Sequence, residues 1–185
     1  MRKRIMTAAV EEMSERGLKF TMGDLARQLG VSKRCLYEHF ESKEDLIRSI
    51  LYAIFLDIRE QHKKIIADPA LPFQQKLRDI LCVTPTVFSP TTGRMGEEIK
   101  RFMPEEWHRI EHLFEQDWAI MADFLQAAMD RRELCLMHLT LLKKIIKGCM
   151  SEIVDHRFLA QHNISLEEAK SSTVHLLLYG LIPRG

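Results

Sequence analysis

The sequence predicts an all-α protein, with a small N-terminal three-helix head of helix-turn-helix shape and a larger helical bundle behind it. Three observations carry this. Gly and Pro are sparse, 8 and 6 in 185 residues, and fall between periodic segments. Apolar residues recur at spacings of three and four along most of the chain. Alternating apolar and polar runs die out after a few positions, so strands are not expected.

The first helix is expected over Lys3–Arg16, with Ile5, Ala8, Ala9 and Met13 on one stripe and Gly17 as its stop. Thr21 has the chemistry of an N-cap, and Asp24, three residues on, can serve the first turn and the helix dipole. The short helix Met22–Leu29 buries Leu25, Ala26 and Leu29 and stops at Gly30. Ser32 caps the next helix, Lys33–His39, which turns Leu36 inward beside Phe40. Ser42 caps a long fourth helix whose Leu46, Ile47, Ile50, Leu51, Ile54 and Phe55 keep the helical period as far as Ile66. Pro72–Cys82 reads as a fifth helix, Thr84–Gly96 as a loop, and Glu97–Met103 as a short helix stopped by Pro104. Glu105–Asp130 carries one broad apolar face. Met137–His156 and Ser165–Leu181 complete the chain, the last opened by a capping box from Ser165 to Glu168. The expected division is residues 1–45 for the head and 46–185 for the bundle.

Composition excludes several classes. With 46% hydrophobic and 29% charged residues the chain has material for a core and is not disordered. The longest uncharged stretches, Ile80–Gly93 and Ser171–Pro183, contain Pro and fall short of the ~18 residues of a membrane span, so no membrane partner is expected. The basic start is followed by an apolar run broken at Glu11 and Glu12, unlike a secretion signal. Cys35, Cys82, Cys135 and Cys149 form no CxxC pair, which suits free thiols in a reducing cytoplasm. No Gly-rich phosphate loop, nucleophile–base set or HExxH motif appears, so neither an enzyme nor a cofactor is expected. His108 and His112, beside Glu111 and Glu115, have the spacing of a metal pair. Without a third ligand in register they read as a solvated face, and no metal is expected.

The net charge of +1 says little about a polyanionic partner, but residues 1–50 hold ten basic and eight acidic side chains against seventeen and eighteen in the rest. The informative stretch is Thr21–Phe40. Two short helices meet at Gly30-Val31, the shape of a helix-turn-helix. The turn is short so that the second helix crosses the first. Ala26 is small where they touch, and Val31 and Leu36 seal the pair. The free face then shows Lys33, Arg34, Tyr37 and His39, residue types that reach phosphates and base edges. The bland readings are a half-buried Tyr37, ordinary solvated charges at Lys33 and Arg34, and an inert Cys35.

Thr21, Leu25-Ala26, Gly30-Val31-Ser32, Leu36-Tyr37-Glu38-His39-Phe40 and Ser42-Lys43-Glu44-Asp45-Leu46 together resemble the DNA-binding domain of the TetR family of bacterial transcriptional regulators. The resemblance covers about the first quarter of the chain. It implies a DNA-binding set of Thr21, Lys33, Arg34, Cys35, Tyr37, His39 and Lys43. Thr21 with its amide, Tyr37 and Lys43 would meet phosphates. Lys33 and Arg34 would head the reading helix, and Arg34 has the fork that matches a guanine. There are three departures. The Gly17–Thr21 segment is one residue short. Gly23 stands inside a helix. Cys35 replaces the commoner Ser or Thr, and a thiol is a weak donor.

The resemblance further implies a cytoplasmic repressor of double-stranded operator DNA. A reader of this kind works as a two-fold dimer. Met137–His156 and Ser165–Leu181 are apolar enough to pair with their twins, and Gly180 would allow close approach. The family also implies a ligand-binding and dimerisation bundle with a small-molecule effector. Candidate lining residues are Tyr52, Phe55, Phe88, Phe102, Met103, Trp107, Phe114, Trp118, Met121, Met150 and Phe158. Such a Met and aromatic set suits an adaptable apolar cavity, and it suits plain core equally. The alternative reading is a helical interaction module, or a regulator with no effector.

Overall fold

The computed structural model describes residues 1–88, 94–153 and 156–181, and among these the chain is helical with no strand. The elements are α1 (Arg2–Arg16), a 3-10 turn (Gly17–Lys19), α2 (Met22–Leu29), α3 (Lys33–Tyr37), α4 (Lys43–Ala67), α5 (Phe73–Cys82), α6 (Arg94–Phe102), α7 (Pro104–Asp130), α8 (Leu139–Glu152), α9 (His156–His162) and α10 (Leu166–Leu181). They group into two compact units. One holds Met1–Asp57 and Pro85–Leu113, the other Ile58–Thr84 and Phe114–Gly185. The head of residues 1–45 lies within the first unit, and α4 and α7 each contribute residues to both.

The first unit is organised around Ile5, Ala9 and Met13 of α1, Leu25 of α2, Leu36 of α3 and Leu46, Ile47 and Ile50 of α4, all buried. Each arrives at helical spacing, so burying one stripe from each helix drives their packing. Phe20 and Phe40 fill the corners between helices. Gly17 does not end α1 in the left-handed conformation that usually follows a helix. Its φ of 64° and ψ of −151° lie in a region open essentially to glycine alone, and lead into the 3-10 turn. Gly30 is left-handed at φ 66°, ψ 32°, and the Val31 N–H returns to the Ala26 carbonyl at 3.0 Å, closing α2.

Two boundaries differ from expectation. The α3 helix ends at Tyr37 rather than His39, although the Phe40 N–H still bonds the Leu36 carbonyl at 3.0 Å, so the difference is the fraying of a last turn. The α6 helix starts at Arg94, inside the segment expected to be loop. Met95 and Ile99, one turn apart, are buried in the first core, and that burial outweighs the helix-weakening Gly96. Residues 89–93 of that segment lie outside the described residues. Before them, the Thr86 N–H and hydroxyl both bond Asp57, at 2.6 and 2.8 Å.

The second unit packs Leu77, Ile80 and Leu81 of α5, Met121, Leu125, Ala128 and Met129 of α7, Leu142 of α8, and Val174 and Leu178 of α10. Phe73 and Phe124 set their rings 5.4 Å apart at its edge. The expected helix Met137–His156 is observed as α8, which stops at Glu152, followed by a separate α9 that carries Phe158 and the buried Leu159. Residues 154–155, between the two, and 182–185 lie outside the described residues. Ser165 Oγ accepts the Glu168 N–H at 3.1 Å, one half of the expected capping box.

Candidate nucleic-acid interface

The start of α2 is a closed reciprocal cap. Thr21 Oγ1 accepts the Asp24 N–H at 3.2 Å, while Asp24 Oδ2 accepts from the Thr21 N–H at 2.9 Å and from its hydroxyl at 2.6 Å. These bonds hold the Asp24 carboxyl below its usual value, the hydroxyl contributing most and the Thr21 backbone next. The phosphate expected of Thr21 and its amide therefore has a competitor. Both donors are engaged by a carboxylate, and a phosphate approaching them meets that negative charge.

The α3 helix is opened by Ser32, whose Oγ accepts the Cys35 N–H at 3.2 Å. Cys35 thus serves through its backbone, and its half-buried thiol adds no strong donor. Leu36 is fully buried and sets the rotation of the helix. That rotation leaves Lys33, Arg34 and Tyr37 exposed, with Tyr37 at 51%. Arg34 makes a loose surface pair with Glu38 at 3.4 Å, an interaction easily exchanged. Lys33 runs alongside Gly23, where an added Cβ would stand 2.8 Å from Lys33 Cε. The departure at Gly23 thus coincides with the path of a basic side chain.

His39 and Lys43 are placed differently from expectation. His39 is half-buried, and its carbonyl accepts Arg2 Nη1 at 2.6 Å. Lys43 points its ammonium at the Leu18 carbonyl and lies 4.7 Å from the centre of the Phe20 ring. Burial pushes its pKa below the ordinary lysine value. The phosphate role expected of Lys43 needs at least one of its three N–H donors to turn outward while another holds Leu18.

Sequence reasoning missed Arg2. Its guanidinium bonds the His39 carbonyl, bonds Ser49 Oγ at 2.8 Å and covers the Phe40 ring at 4.1 Å. It ties the end of α3 to α1 and α4. The only signal in the sequence is the basic run at residues 2–4, which does not reveal a partner 37 positions away.

The expected effector-lining residues do not share one surroundings. Phe55 is buried, and Phe88, Met103 and Trp107 pack on the first core. Trp118, Met121 and Met150 belong to the second core. Phe102, Phe114 and Phe158 are about half exposed. Tyr52 lines a groove of about 450 Å³ between α4 and α7 in the first unit. In the second unit His62 Nδ1 lies 2.9 Å from Asp117 Oδ2, a nearly buried polar pair. His108 lies 3.4 Å from Glu111, and no group of three or more metal-ligating side chains is assembled among the described residues. No helix among them is long and apolar enough to cross a membrane.

This geometry agrees with the comparisons. Residues 5–50 match the family model of bacterial regulatory proteins, tetR family. The uncharacterized HTH-type transcriptional regulator YvaF of Bacillus subtilis (strain 168) is 23% identical over 181 residues, covering 98% of this chain and 95% of its own. The TetR-family regulator PfmR from Thermus thermophilus superposes with a TM-score of 0.72 at 19% identity, over 95% of this chain and 97% of its own. The regulator FadR from Bacillus subtilis, solved in complex with stearoyl-CoA, gives 0.69 at 18% identity, over 96% and 97%. The all-α chain thus has a first core built on a capped helix-turn-helix with a basic outer face, and it is similar over residues 5–50 to the tetR family of bacterial regulatory proteins.

Proposed function

We propose that the chain is a dimeric, sequence-specific repressor whose hold on operator DNA is released by a small apolar or amphipathic ligand. The observation that carries the reading is the outer face of α3. Leu36 anchors the helix, and Lys33, Arg34 and Tyr37 stand free of any strong partner among the described residues. Lys33 and Arg34 head the reading helix, Arg34 as the base reader, and Tyr37 is a phosphate contact. Thr21 and Lys43 shape the head; Thr21 reaches phosphate only by exchanging its present partner, and Lys43 by turning a further N–H outward.

Dimerisation is supported by apolar side chains left open on α8 and α10. Leu141 is 56%, Leu176 73% and Tyr179 60% exposed. A Cβ at Gly148 or Gly180 would meet nothing within 4 Å, so these faces admit a close neighbour. Release by a ligand is a population shift, and the ligand acts only by its differential affinity for the DNA-competent form. A protein of the same fold solved with stearoyl-CoA supports a small-molecule effector here. The α4 helix, with residues in both units, is the mechanical link.

Titration of duplex DNA against salt tests the reading. Affinity is expected to fall steeply, with a log–log slope of about −0.9 per phosphate contact. Selection from a random duplex library is expected to enrich a two-fold site. Binding to duplex DNA no stronger than that of serum albumin at low salt overturns the proposal.

A further inference from the structure

Between α4 and α7 the first unit carries the groove that Tyr52 borders. Its apolar lining comes from the half-buried Leu51, Ile110 and Leu113. Its polar lining is unusual. Glu106 is only 7% exposed, and two guanidiniums share its carboxylate, Arg48 Nη2 at 2.9 Å and Arg109 Nη1 at 3.5 Å. Arg48 also faces Asp45 at 3.8 Å, so it is well matched. Arg109 is not. Its side chain is 60% exposed and its one carboxylate contact is long, which leaves most of a planar donor fork open over apolar surface. Such a fork matches a carboxylate in bidentate fashion. Asp45 and Glu106 together offset the two arginines, so what the groove offers an anion is the open fork of Arg109 and not a net positive charge.

One lining residue is also bonded to the reading head. Ser49 Oγ accepts Arg2 Nη2 at 2.8 Å, and Arg2 Nη1 holds the His39 carbonyl just beyond α3 at 2.6 Å. A group drawn toward Arg48 and Arg109 therefore sits on the helix that carries this clasp, next to the hydroxyl that anchors it.

We infer that this groove is a receptor for an amphipathic monoanion, a carboxylate on a short apolar chain, and that its occupancy reaches the end of α3 through Ser49, Arg2 and the His39 carbonyl. The ligand carboxylate takes the free fork of Arg109 and the chain lies along Leu51, Ile110 and Leu113. A volume of about 450 Å³ lies within the range of small-molecule sites and admits such a chain. The regulatory half of the inference rests on the repressor reading, whereas the binding half does not.

The test uses the full chain without DNA, with octanoate as probe and octanol and octylamine as controls. Octanoate is expected to bind saturably and about tenfold more tightly than either control, the margin of a charge-assisted bond. Arg109→Gln, at an exposed position whose fold is checked by circular dichroism, is expected to lower octanoate affinity by about tenfold. Amide resonances of His39 and Phe40 are expected to shift on octanoate binding in the wild type. In Arg2→Met those shifts should vanish while octanoate still binds, because Arg2 carries the relay and does not line the groove. Equal binding of octanoate and octanol, or an unchanged affinity in Arg109→Gln, overturns the receptor. Shifts that persist in Arg2→Met overturn the relay. A failed octanoate titration with intact duplex binding refutes the groove alone, and intact octanoate binding with no duplex binding refutes the repressor reading alone.

Discussion

At Thr21 a hydroxyl both donates to and accepts from the residue three positions on, and the partner's charge depends on pH. The Asp24 carboxyl is depressed in the folded chain from an unfolded value near 3.8. Its stabilising effect is therefore complete above that value and is lost as pH falls through the lower folded one. Calorimetric melts should show wild type more stable than Asp24→Asn at neutral pH, with the gap closing below pH 3.8. A gap independent of pH would mean the carboxylate is not the source. Arg34 and Lys43 part company in the same way. Arg34→Ala should weaken the preferred duplex by about 1–3 kcal/mol and blur one base position while leaving the melting temperature unmoved. Lys43→Met should lower the melting temperature, since it strips the Leu18 carbonyl of its donor and the Phe20 ring of its cation. Its loss of affinity should be alike for all sequences. Melting curves beside competition binding with scrambled duplexes separate the two roles.

At the scale of the element, glycines mark where backbone geometry and side-chain space disagree with a helix. Gly17 occupies a conformation that other residues enter at a cost of about 1–3 kcal/mol. A Cβ there would also collide with the Glu98 carboxylate, which accepts the Leu18 N–H at 2.6 Å. Gly17→Ala should destabilise the first unit by at least that amount in denaturant titrations. Gly23→Ala should do the reverse. The position is helical, so Ala gains up to about 1 kcal/mol of propensity. Its one tight neighbour is the flexible end of Lys33, which can swing away. A chain that melts higher but binds duplex DNA differently would show that the present path of Lys33 matters to reading. The α2 helix was legible in full, because its cap, its stripe and its stop lie within a few residues of one another. The start of α6 was not, because only contact with the first core marks Met95 and Ile99 as helical.

For the whole molecule the proposed dimer rests on α8 and α10. The apolar residues left uncovered on α8 and α10 predict a dimer by sedimentation equilibrium. The double variant Leu176→Glu, Tyr179→Glu should be monomeric, with its own melting temperature little changed, since both positions are exposed within one chain. It should bind a half-site about as the wild type does and lose the added affinity of a two-fold site. A double variant that stays dimeric would place the interface elsewhere.

What the residue order determined by itself acts over a single turn. The all-α character, the caps at Thr21, Ser32 and Ser165, the Gly30 turn and the outward face of α3 all follow from neighbours within four positions. The tertiary structure alone decided which side chains are already occupied. Lys43 meets Leu18 across 25 positions, Arg2 meets His39 across 37, and Glu98 meets Leu18 across 80. The same holds for the aromatic residues, which periodicity marks as apolar and only packing sorts between two cores and one groove. The physical reason is range. Helix caps and amphipathic stripes are local balances of hydrogen bonding and burial, whereas the partner of a long charged side chain is chosen by whichever backbone the packed core brings within reach.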